Sequence, residues 1–231
     1  MTAGILTIDV GGTGIKLAVL DRSGEPISER LRLLTPRPCP PPVLLQLLAQ
    51  AAVELPEFDR VSVGFPGAVR NGRVLTAANL GNDAWVEFDL QGALSRQFGG
   101  KPVRVLNDAD LQGFAMISGT GVEMVITLGT GFGSAFFRDG ELLPHVELAH
   151  HPLRDNQTYD QWLGDATLER IGPAVWNERL RDTLDLLLRT FRPDRIILGG
   201  GNARLVEPGL PPWVCIAPEG AGIRGGAALW R

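Results

Sequence analysis

The chain has 231 residues, of which 44% are hydrophobic and 21% are charged, and its formal net charge is −4. This length and composition are typical of a globular protein with one large domain or two small lobes. The sequence pI near 5.4 gives no reason to expect attraction to nucleic acid or to an anionic membrane. Functions that depend on either partner are therefore not expected.

Cysteine usage and the N-terminal segment indicate a cytoplasmic protein. Cys39 and Cys215 are too few for a disulfide framework, and neither has a second cysteine nearby to form a zinc knuckle. No apolar run approaches the ~18 residues of a membrane span. Asp9 interrupts the first apolar segment and no basic region precedes it, so a signal peptide is not expected.

The first half of the chain is predicted to open with a strand hairpin and to continue with alternating helices and strands. The runs "ILTIDV" and "GIKLAVL" read as two strands around a glycine turn, and a third short strand follows the turn at 21–24. Residues 39–55 leave a proline-rich loop and are apolar throughout, which favours a helix. The later elements are a buried strand at 60–65, a helix at 89–98, a strand ending at Asn107 and a helix at 109–118.

A weak internal repeat then begins. The segment "LTIDVGGTGIKLAVLDRSGEPI" aligns with "EMVITLGTGFGSAFFRDGELL", so that Gly12-Thr13-Gly14 falls on Gly129-Thr130-Gly131. A repeat this long indicates two related lobes and not a solenoid. The second copy is followed by helices near 158–169 and 173–191, the strand "RIILGGG", the short strand "WVCIA" and a last helix near 219–230.

The repeat predicts a layered α/β architecture with two lobes. Residues 1–107 form the smaller N-terminal lobe and residues 108–231 the larger C-terminal lobe. The last helix, about 219–231, is expected to pack back on the first lobe.

The glycine turns of the two copies are candidates for phosphate binding. Backbone N–H groups of a glycine-rich turn can point together at an anion, and the missing side chains let phosphate oxygens approach. Either turn alone reads equally as an ordinary hairpin turn. Their pairing across the repeat favours binding of the two ends of a polyanion, with Thr13 and Thr130 adding hydroxyl donors.

Three polar residues end apolar strands. Asp9 precedes the first turn, where a carboxylate beside phosphates requires a cation, so it is a candidate Mg²⁺ ligand or else a local turn cap. Asn107 and Asp108 end another strand, at the edge where ligands collect in α/β folds. Asp108 is a candidate general base and Asn107 can bind sugar hydroxyls, although either residue also suits a helix N-cap.

Other polar or glycine-rich segments carry weaker signals. Glu147 and His150 could bind adjacent hydroxyls of a small polar ligand, whereas the three histidines of "PHVELAHHP" lack partners for a zinc site. Asn79 and Trp85 suit a sugar, but loops are commonly rich in Asn. The glycines of "LGGG" either support a base or phosphate or allow close packing of strand on helix.

These motifs, in this order, resemble the ROK family of sugar kinases along nearly the whole chain, and the polyphosphate glucokinase branch in particular. The "TPRP" loop and "LLPHVELAH" carry the likeness to that branch. The motifs similar to those of the family are "DVGGTGIK", "GFPG", "AANL", "NDAD", "LGTGFGSA", "ELAH" and "LGGG".

The resemblance implies an actin-like, hexokinase-type (ribonuclease H-like) duplicated fold and phosphoryl transfer from ATP or polyphosphate to a hexose 6-hydroxyl. Glucose is the expected acceptor, Mg²⁺ the expected metal and Asp9 its ligand. Asp108 would be the catalytic base. Sugar binding is implied for Gly67, Asn79, Asn107, Glu147 and His150, and phosphate or nucleotide binding for Gly11, Gly12, Thr13, Lys16, Gly129, Thr130, Gly131, Gly199 and Gly200.

The chain departs from the family pattern in three respects. Ala149 stands where the family has Gly in its Glu-x-Gly-His element, and the cysteine-rich zinc segment is absent, so no zinc is expected. The second acidic sugar contact that follows that segment has no clear match in the short stretch 152–172. These departures leave the identity of the sugar open.

Several alternatives to a glucose kinase remain at this stage. The acceptor could be fructose or an N-acetylhexosamine, and an inert sugar-binding protein would share the fold. A sugar-sensing repressor is not expected, because the first strand begins within a few residues of Met1. The resemblance also suggests a homodimer.

Overall fold

The computed structural model describes residues 4–78, 80–218 and 220–231, so Asn79 lies outside the described residues. Contacts divide the chain into two compact units. The first comprises Met1–Ala115 and Ile223–Arg231, and the second comprises Met116–Gly222. Among the helices in these described ranges, none is both long and apolar enough to cross a membrane.

The first unit follows the predicted order of elements. Its five-stranded sheet has the order β3-β2-β1-β4-β8, with β1, β4 and β8 parallel and the first hairpin antiparallel. A small three-stranded sheet combines β5, β6 and β7. The elements are β1 (Gly4–Val10), β2 (Gly14–Leu20), β3 (Leu31–Leu34), α1 (Pro41–Ala52), β4 (Phe58–Phe65), β5 (Val69–Arg70), β6 (Arg73–Val74), β7 (Phe88–Asp89), α2 (Leu90–Gln97), β8 (Val103–Asn107) and α3 (Asp108–Gly113).

The second unit repeats this scheme, which confirms the predicted repeat of strand meander and α/β segment. Its main sheet has the order β11-β10-β9-β14-β15, and β12 pairs with β13 separately. The elements are β9 (Val122–Leu128), β10 (Phe132–Arg138), β11 (Glu141–Leu142), β12 (Pro152–Arg154), β13 (Gln157–Thr158), α4 (Tyr159–Leu163), α5 (Asp165–Phe191), β14 (Arg195–Gly199) and β15 (Val214–Ile216). The last helix, α6 (Ala221–Ala228), belongs to the first unit from Ile223 onward.

Period-two alternation gives the first sheet two different faces. On one face Leu6, Ile8 and Val10 join a large buried core that includes Leu44 of α1 and Leu94 of α2. The opposite face of β1 carries residues 5, 7 and 9, and the end of the chain covers its beginning. There Ile5 packs with Ala227, and the Ser62 hydroxyl donates to the Gly226 carbonyl at 2.6 Å.

Two predicted helices end earlier than the sequence pattern indicates. The helix predicted at 109–118 ends at Gly113, and its predicted last residue, Ser118, donates its backbone N–H to the buried Glu123 carboxylate, as does Gly119. The helix predicted at 158–169 breaks at Gly164, which is extended and begins α5. Within α5 the backbone leaves helical geometry at Gly172, immediately before Pro173.

Candidate functional site

The first glycine turn joins β1 to β2 and exposes two backbone donors. The Gly11 N–H donates to the Gly14 carbonyl at 2.9 Å, and a Cβ on Gly11 would lie 2.8 Å from that oxygen, so the turn closes only around glycine. The Thr35 hydroxyl steadies the turn by donating to the Gly11 carbonyl at 2.7 Å. Within the described part of the chain, the N–H groups of Gly12 and Thr13 have no acceptor, which suits them to an anion.

Asp9 and Asp108 stand on the same face of the first sheet. Asp9 pairs in register with Lys16 on one side and with Gly64 on the other, and Lys16 Nζ lies 2.9 Å from Asp9 Oδ2. A Cβ on Gly64 would lie 3.2 Å from the Asp108 Cα. Gly64 lies on β4, the strand next to that of Asp9, and neighbouring strands are about 4.8 Å apart. Asp108, the first residue of α3, therefore lies over the strand next to Asp9.

Asn107 is the N-cap of α3, one of the two roles that the sequence left open for this pair. Its Oδ1 accepts from Ala109 N at 2.8 Å, and its Nδ2 donates to the Gly67 carbonyl at 3.2 Å. Asn107 is buried, whereas Asp108 is half-buried and its carboxylate accepts from Ala109 N at 2.9 Å. Capping therefore falls to Asn107, and the Asp108 carboxylate lies in the first turn of the helix.

The second glycine turn is braced by two acidic residues of its own unit. Asp165 N donates to the Gly129 carbonyl at 3.1 Å, and Phe132 N donates to Asp160 Oδ1 at 2.6 Å. A Cβ on Gly131 would lie 2.7 Å from the same Asp160 oxygen, whereas one on Gly129 would meet nothing within 4 Å. In the described ranges the N–H groups of Thr130 and Gly131 have no acceptor, so this turn also presents free donors.

Glu147 interacts with His145 and His150, and it is one of the residues that the sequence predicts to bind a small polar ligand. His145 Nε2 is 3.4 Å from Glu147 Oε2, and Ala149 donates its backbone N–H to the same carboxylate. Burial opposes ionisation of Glu147, but His145, His150 and the Ala149 amide outweigh it and hold its pKa below the ordinary value. Ala149, which stands where the family has Gly, thus donates a backbone hydrogen bond that favours the ionised form of Glu147.

Asp160 is a member of this acidic cluster that sequence reasoning missed. Burial raises the pKa of Asp160 and the nearby Glu147 charge raises it further, while the Phe132 amide and His150 act in the opposite direction. The available signal was the capping box at the start of α4, in which Thr158 and Gln161 bond each other's backbone. That motif places Asp160 in the first turn of a helix.

A cavity of about 470 Å³ adjoins this cluster. Several polar side chains contribute to its wall and can form hydrogen bonds with a ligand that carries several hydroxyl groups. Six of its lining residues are Thr130, Asn156, Gln157, Asp160, Gln161 and Thr167.

Some predicted ligand contacts have structural roles instead. Trp85 is fully buried, donates Nε1 to the Cys39 carbonyl at 2.9 Å and packs on Phe65, so its suggested sugar contact is wrong. The backbone at Gly200 has φ +83°, and a Cβ there would lie 2.3 Å from the Leu128 carbonyl oxygen. Close packing thus accounts for this glycine, and its phosphate contact stays a prediction.

Gly67 and Gly199 also lie where the backbone approaches a neighbour closely. A Cβ on Gly67 would lie 2.0 Å from the Thr76 carbonyl oxygen, and one on Gly199 would lie 2.6 Å from the Met116 methyl carbon. Their predicted contacts with sugar and nucleotide are not tested by this packing.

Asp9 is suited to share a magnesium ion with a bound phosphate chain. Residues 4–78, 80–218 and 220–231 contain no group of three His, Cys, Asp or Glu side chains that could hold a metal ion alone. Magnesium commonly takes only one or two protein carboxylates and completes its shell with water and substrate phosphate. The single carboxylate of Asp9, beside a turn with free N–H donors, matches that pattern.

Comparisons with known protein families, sequences and structures all find sugar kinases of one family or proteins similar to them. The model of the ROK family matches residues 5–157. The polyphosphate glucokinases of Mycobacterium tuberculosis (strain CDC 1551 / Oshkosh) and Mycobacterium leprae (strain TN) are each 30% identical; the alignments cover 88% and 95% of this chain and 80% and 72% of those proteins. The crystal structure of an inorganic polyphosphate/ATP-glucomannokinase from Arthrobacter sp. strain KM superposes with a TM-score of 0.86 at 33% identity, over 100% of both chains.

Proposed function

The chain belongs to the ROK family and is a sugar kinase, and we propose that it phosphorylates the 6-hydroxyl of a hexose, with glucose as the expected acceptor. Its donor is ATP or inorganic polyphosphate, the alternatives that the relatives' names carry. The actin-like, hexokinase-type fold predicted from the sequence is confirmed by the likeness to the glucomannokinase.

The observation that carries the proposal is the position of Asp108 on the sheet face of Asp9. Both follow the rule that ligands gather where parallel strands end, since Asp9 lies near the end of β1 and Asp108 follows β8. Asp108 would accept the proton of the 6-hydroxyl as the oxygen attacks the terminal phosphorus, whose bond to the bridging oxygen breaks to release ADP or a polyphosphate shortened by one unit. The Asn107 cap and the Gly64 contact would hold the carboxylate in place.

The first turn is proposed to hold donor phosphates. The free N–H groups of Gly12 and Thr13 would donate hydrogen bonds to phosphate oxygens, and the Lys16 ammonium would neutralise part of their charge. Gly11 has no side chain and so lets the phosphate approach the backbone closely. Asp9 would bind Mg²⁺, which neutralises charge on the phosphate chain when bound. In the second unit, Gly129, Thr130 and Gly131 are proposed to contact donor phosphates as well, and Gly199 and Gly200 to face the nucleotide side.

The acidic cluster of the second unit is proposed to hold the sugar. Glu147 would accept from sugar hydroxyls as an ionised carboxylate, and exposed His150 would donate or accept beside it. Asp160, which lines the cavity, extends the set of hydroxyl acceptors. Gly67, Asn79 and Asn107 complete the sugar contacts that the sequence predicts.

The test is a matrix of acceptors and donors with identification of the product. Glucose, mannose, fructose and N-acetylmannosamine are each incubated with MgATP and with long-chain polyphosphate, and the products are analysed by ³¹P NMR. We expect a 6-phosphate from glucose with at least one donor. Mannose belongs in the panel because the Arthrobacter protein is a glucomannokinase.

The matrix separates the proposal from its rivals. Turnover of N-acetylmannosamine or fructose without turnover of glucose would assign another acceptor to the same chemistry. Glucose binding by calorimetry without product from any pair would identify an inert sugar-binding protein.

A further inference from the structure

A row of basic side chains extends sideways from the first glycine turn to the edge of its sheet. β3 is the outer strand, and Arg32 lies opposite Lys16, which in turn lies opposite Asp9. Leu31 and Leu33 pack against the core, so Arg32 points to the other face, the one that carries Asp9 and Lys16. With strands about 4.8 Å apart, the row extends roughly 10 Å from Asp9 to Arg32.

A second arginine lies against the turn. The segment after β3 is tied to the turn by the Thr35 hydroxyl and by Thr35 N, which donates to the Thr13 carbonyl at 3.3 Å. This anchoring brings Arg37 Nη2 to 3.4 Å from the Gly12 carbonyl oxygen. We call Lys16, Arg32 and Arg37 the basic row.

The two arginines of the basic row are available to an external anion. Both are exposed, and among the described residues neither forms an ion pair, in contrast to Lys16, which is paired with Asp9. Arginine binds phosphate through two parallel N–H donors, which suits repeated anionic groups. A chain with net charge −4 repels a long polyanion unless cationic groups are concentrated along its path.

We propose that Arg32 and Arg37 bind the part of a linear polyphosphate that extends beyond the phosphoryl group being transferred. The inference rests on the proposed kinase function and adds the donor class to it. ATP ends its anionic portion at three phosphates and continues as ribose and base, whereas polyphosphate continues as charged groups. Arg32 and Arg37 therefore discriminate between donors by the length of their anionic chain.

The test compares Arg32→Gln and the double variant Arg32→Gln/Arg37→Gln with Arg96→Gln. Arg96 is an exposed arginine of α2, a helix that packs through Leu90 and Leu94 on the opposite face of the sheet, so the control removes the same charge from the same unit. Glucose phosphorylation is measured with long-chain sodium polyphosphate, sodium tripolyphosphate and MgATP. We expect the KM for long-chain polyphosphate to rise about tenfold in the double variant. The KM values for tripolyphosphate and MgATP should change less than twofold.

Binding of long-chain polyphosphate is also measured directly by titration calorimetry without sugar. A tenfold weaker Kd in the double variant, with the control unchanged, supports the proposal even if turnover is low. Equal losses with all three donors, or no change with polyphosphate, would overturn it. Glucose phosphorylation from MgATP together with absent polyphosphate binding would also overturn it, while leaving the proposed function intact.

Discussion

The two glycine turns differ in the charges around them, although the strands that carry them are connected alike. Each turn joins the first two strands of a five-stranded sheet, and each leaves backbone donors free among the described residues. By strand pairing, Thr127 and Gly133 stand where the first unit has Asp9 and Lys16. The second turn is instead braced by the Asp160 carboxylate.

This difference indicates a division of labour between related units. A turn that carries a carboxylate and a lysine suits phosphate and metal, and Asp108 on the same sheet face adds a base. A turn held by an acidic cluster can place hydroxyl acceptors beside it. We infer that the backbone of the glycine turn binds phosphate in both units. The surrounding side chains then bind metal and accept a proton in the first unit, and bind the sugar in the second.

Replacing the proposed base should have the largest effect. Asp108→Asn keeps the size of the side chain and removes its ability to take a proton, so kcat should fall about 10²- to 10⁴-fold. Steady-state assays with glucose and the better donor measure this. Asp185→Asn, at an exposed position of α5, is the matched control and should retain parental kcat.

The carboxylate of the first turn comes next. Asp9→Asn should lower kcat about 10²- to 10³-fold, because the metal and its neutralising charge are held less well. The Asp9–Lys16 pair is partly exposed, so the free energy of unfolding should change by less than about 1 kcal/mol. Kinetics across a Mg²⁺ series and urea denaturation measure the two effects. Parental turnover at every Mg²⁺ concentration would contradict the assigned metal role.

The acidic cluster of the second unit should respond through the sugar. Glu147→Gln removes a charged acceptor, and a charge-assisted hydrogen bond of roughly 1.5–3 kcal/mol corresponds to a 10- to 100-fold higher KM for glucose. The KM for the donor should stay near the parental value. Glu178→Gln, an exposed change on α5, is the control. A loss confined to the donor KM would reverse the proposed division.

Two glycines of the second turn should differ in their effect on stability. Gly131→Ala forces a methyl group against Asp160 and should lower the free energy of unfolding by about 1–3 kcal/mol. Gly129→Ala meets no neighbour and should change it by less than about 0.5 kcal/mol. Thermal or urea unfolding of both variants measures the difference. Equal destabilisation would show that Asp160 does not constrain the turn.

Asp160 itself should give the smallest effect, with the opposite sign. Because its pKa is raised in the folded protein, its contribution to stability is full below the ordinary aspartate pKa and is lost as pH rises through the folded pKa. Asp160→Asn should therefore unfold at a slightly higher temperature than the parent at pH 7. Calorimetry between pH 3 and pH 7 should show this advantage disappearing in acid, and an advantage at every pH would contradict the assignment.

The parts of the fold and site that depend on local pattern were predictable. Apolar runs that end in Asp9, in Asn107 or at a glycine turn located the strands and the edge at which they end. The repeat of Gly-Thr-Gly predicted that two similar units carry these turns. Such features follow from period-two burial and from the backbone freedom of glycine, both of which are visible in a single sequence.

The remaining parts depend on contacts between distant segments. Asp160 contacts the second turn through its hydrogen bond from Phe132 N, which lies 28 residues earlier in the chain, and no local pattern predicts that contact. The sequence suggested that Trp85 is an aromatic residue of a sugar-binding loop. It is instead buried, and its Nε1 donates a hydrogen bond to the Cys39 carbonyl. Arg32 joins the basic row through the register of β3 with β2, which the long connecting turn leaves undetermined in the sequence.

The division of labour is tested most directly by glucose binding without turnover. Titration calorimetry of glucose, with no donor present, is performed on the parent, Asp108→Asn and Glu147→Gln. The account predicts a Kd within about threefold of the parent for Asp108→Asn and at least about tenfold weaker binding for Glu147→Gln. Unchanged binding by Glu147→Gln, or a loss of binding in Asp108→Asn as large as that expected for Glu147→Gln, would contradict it.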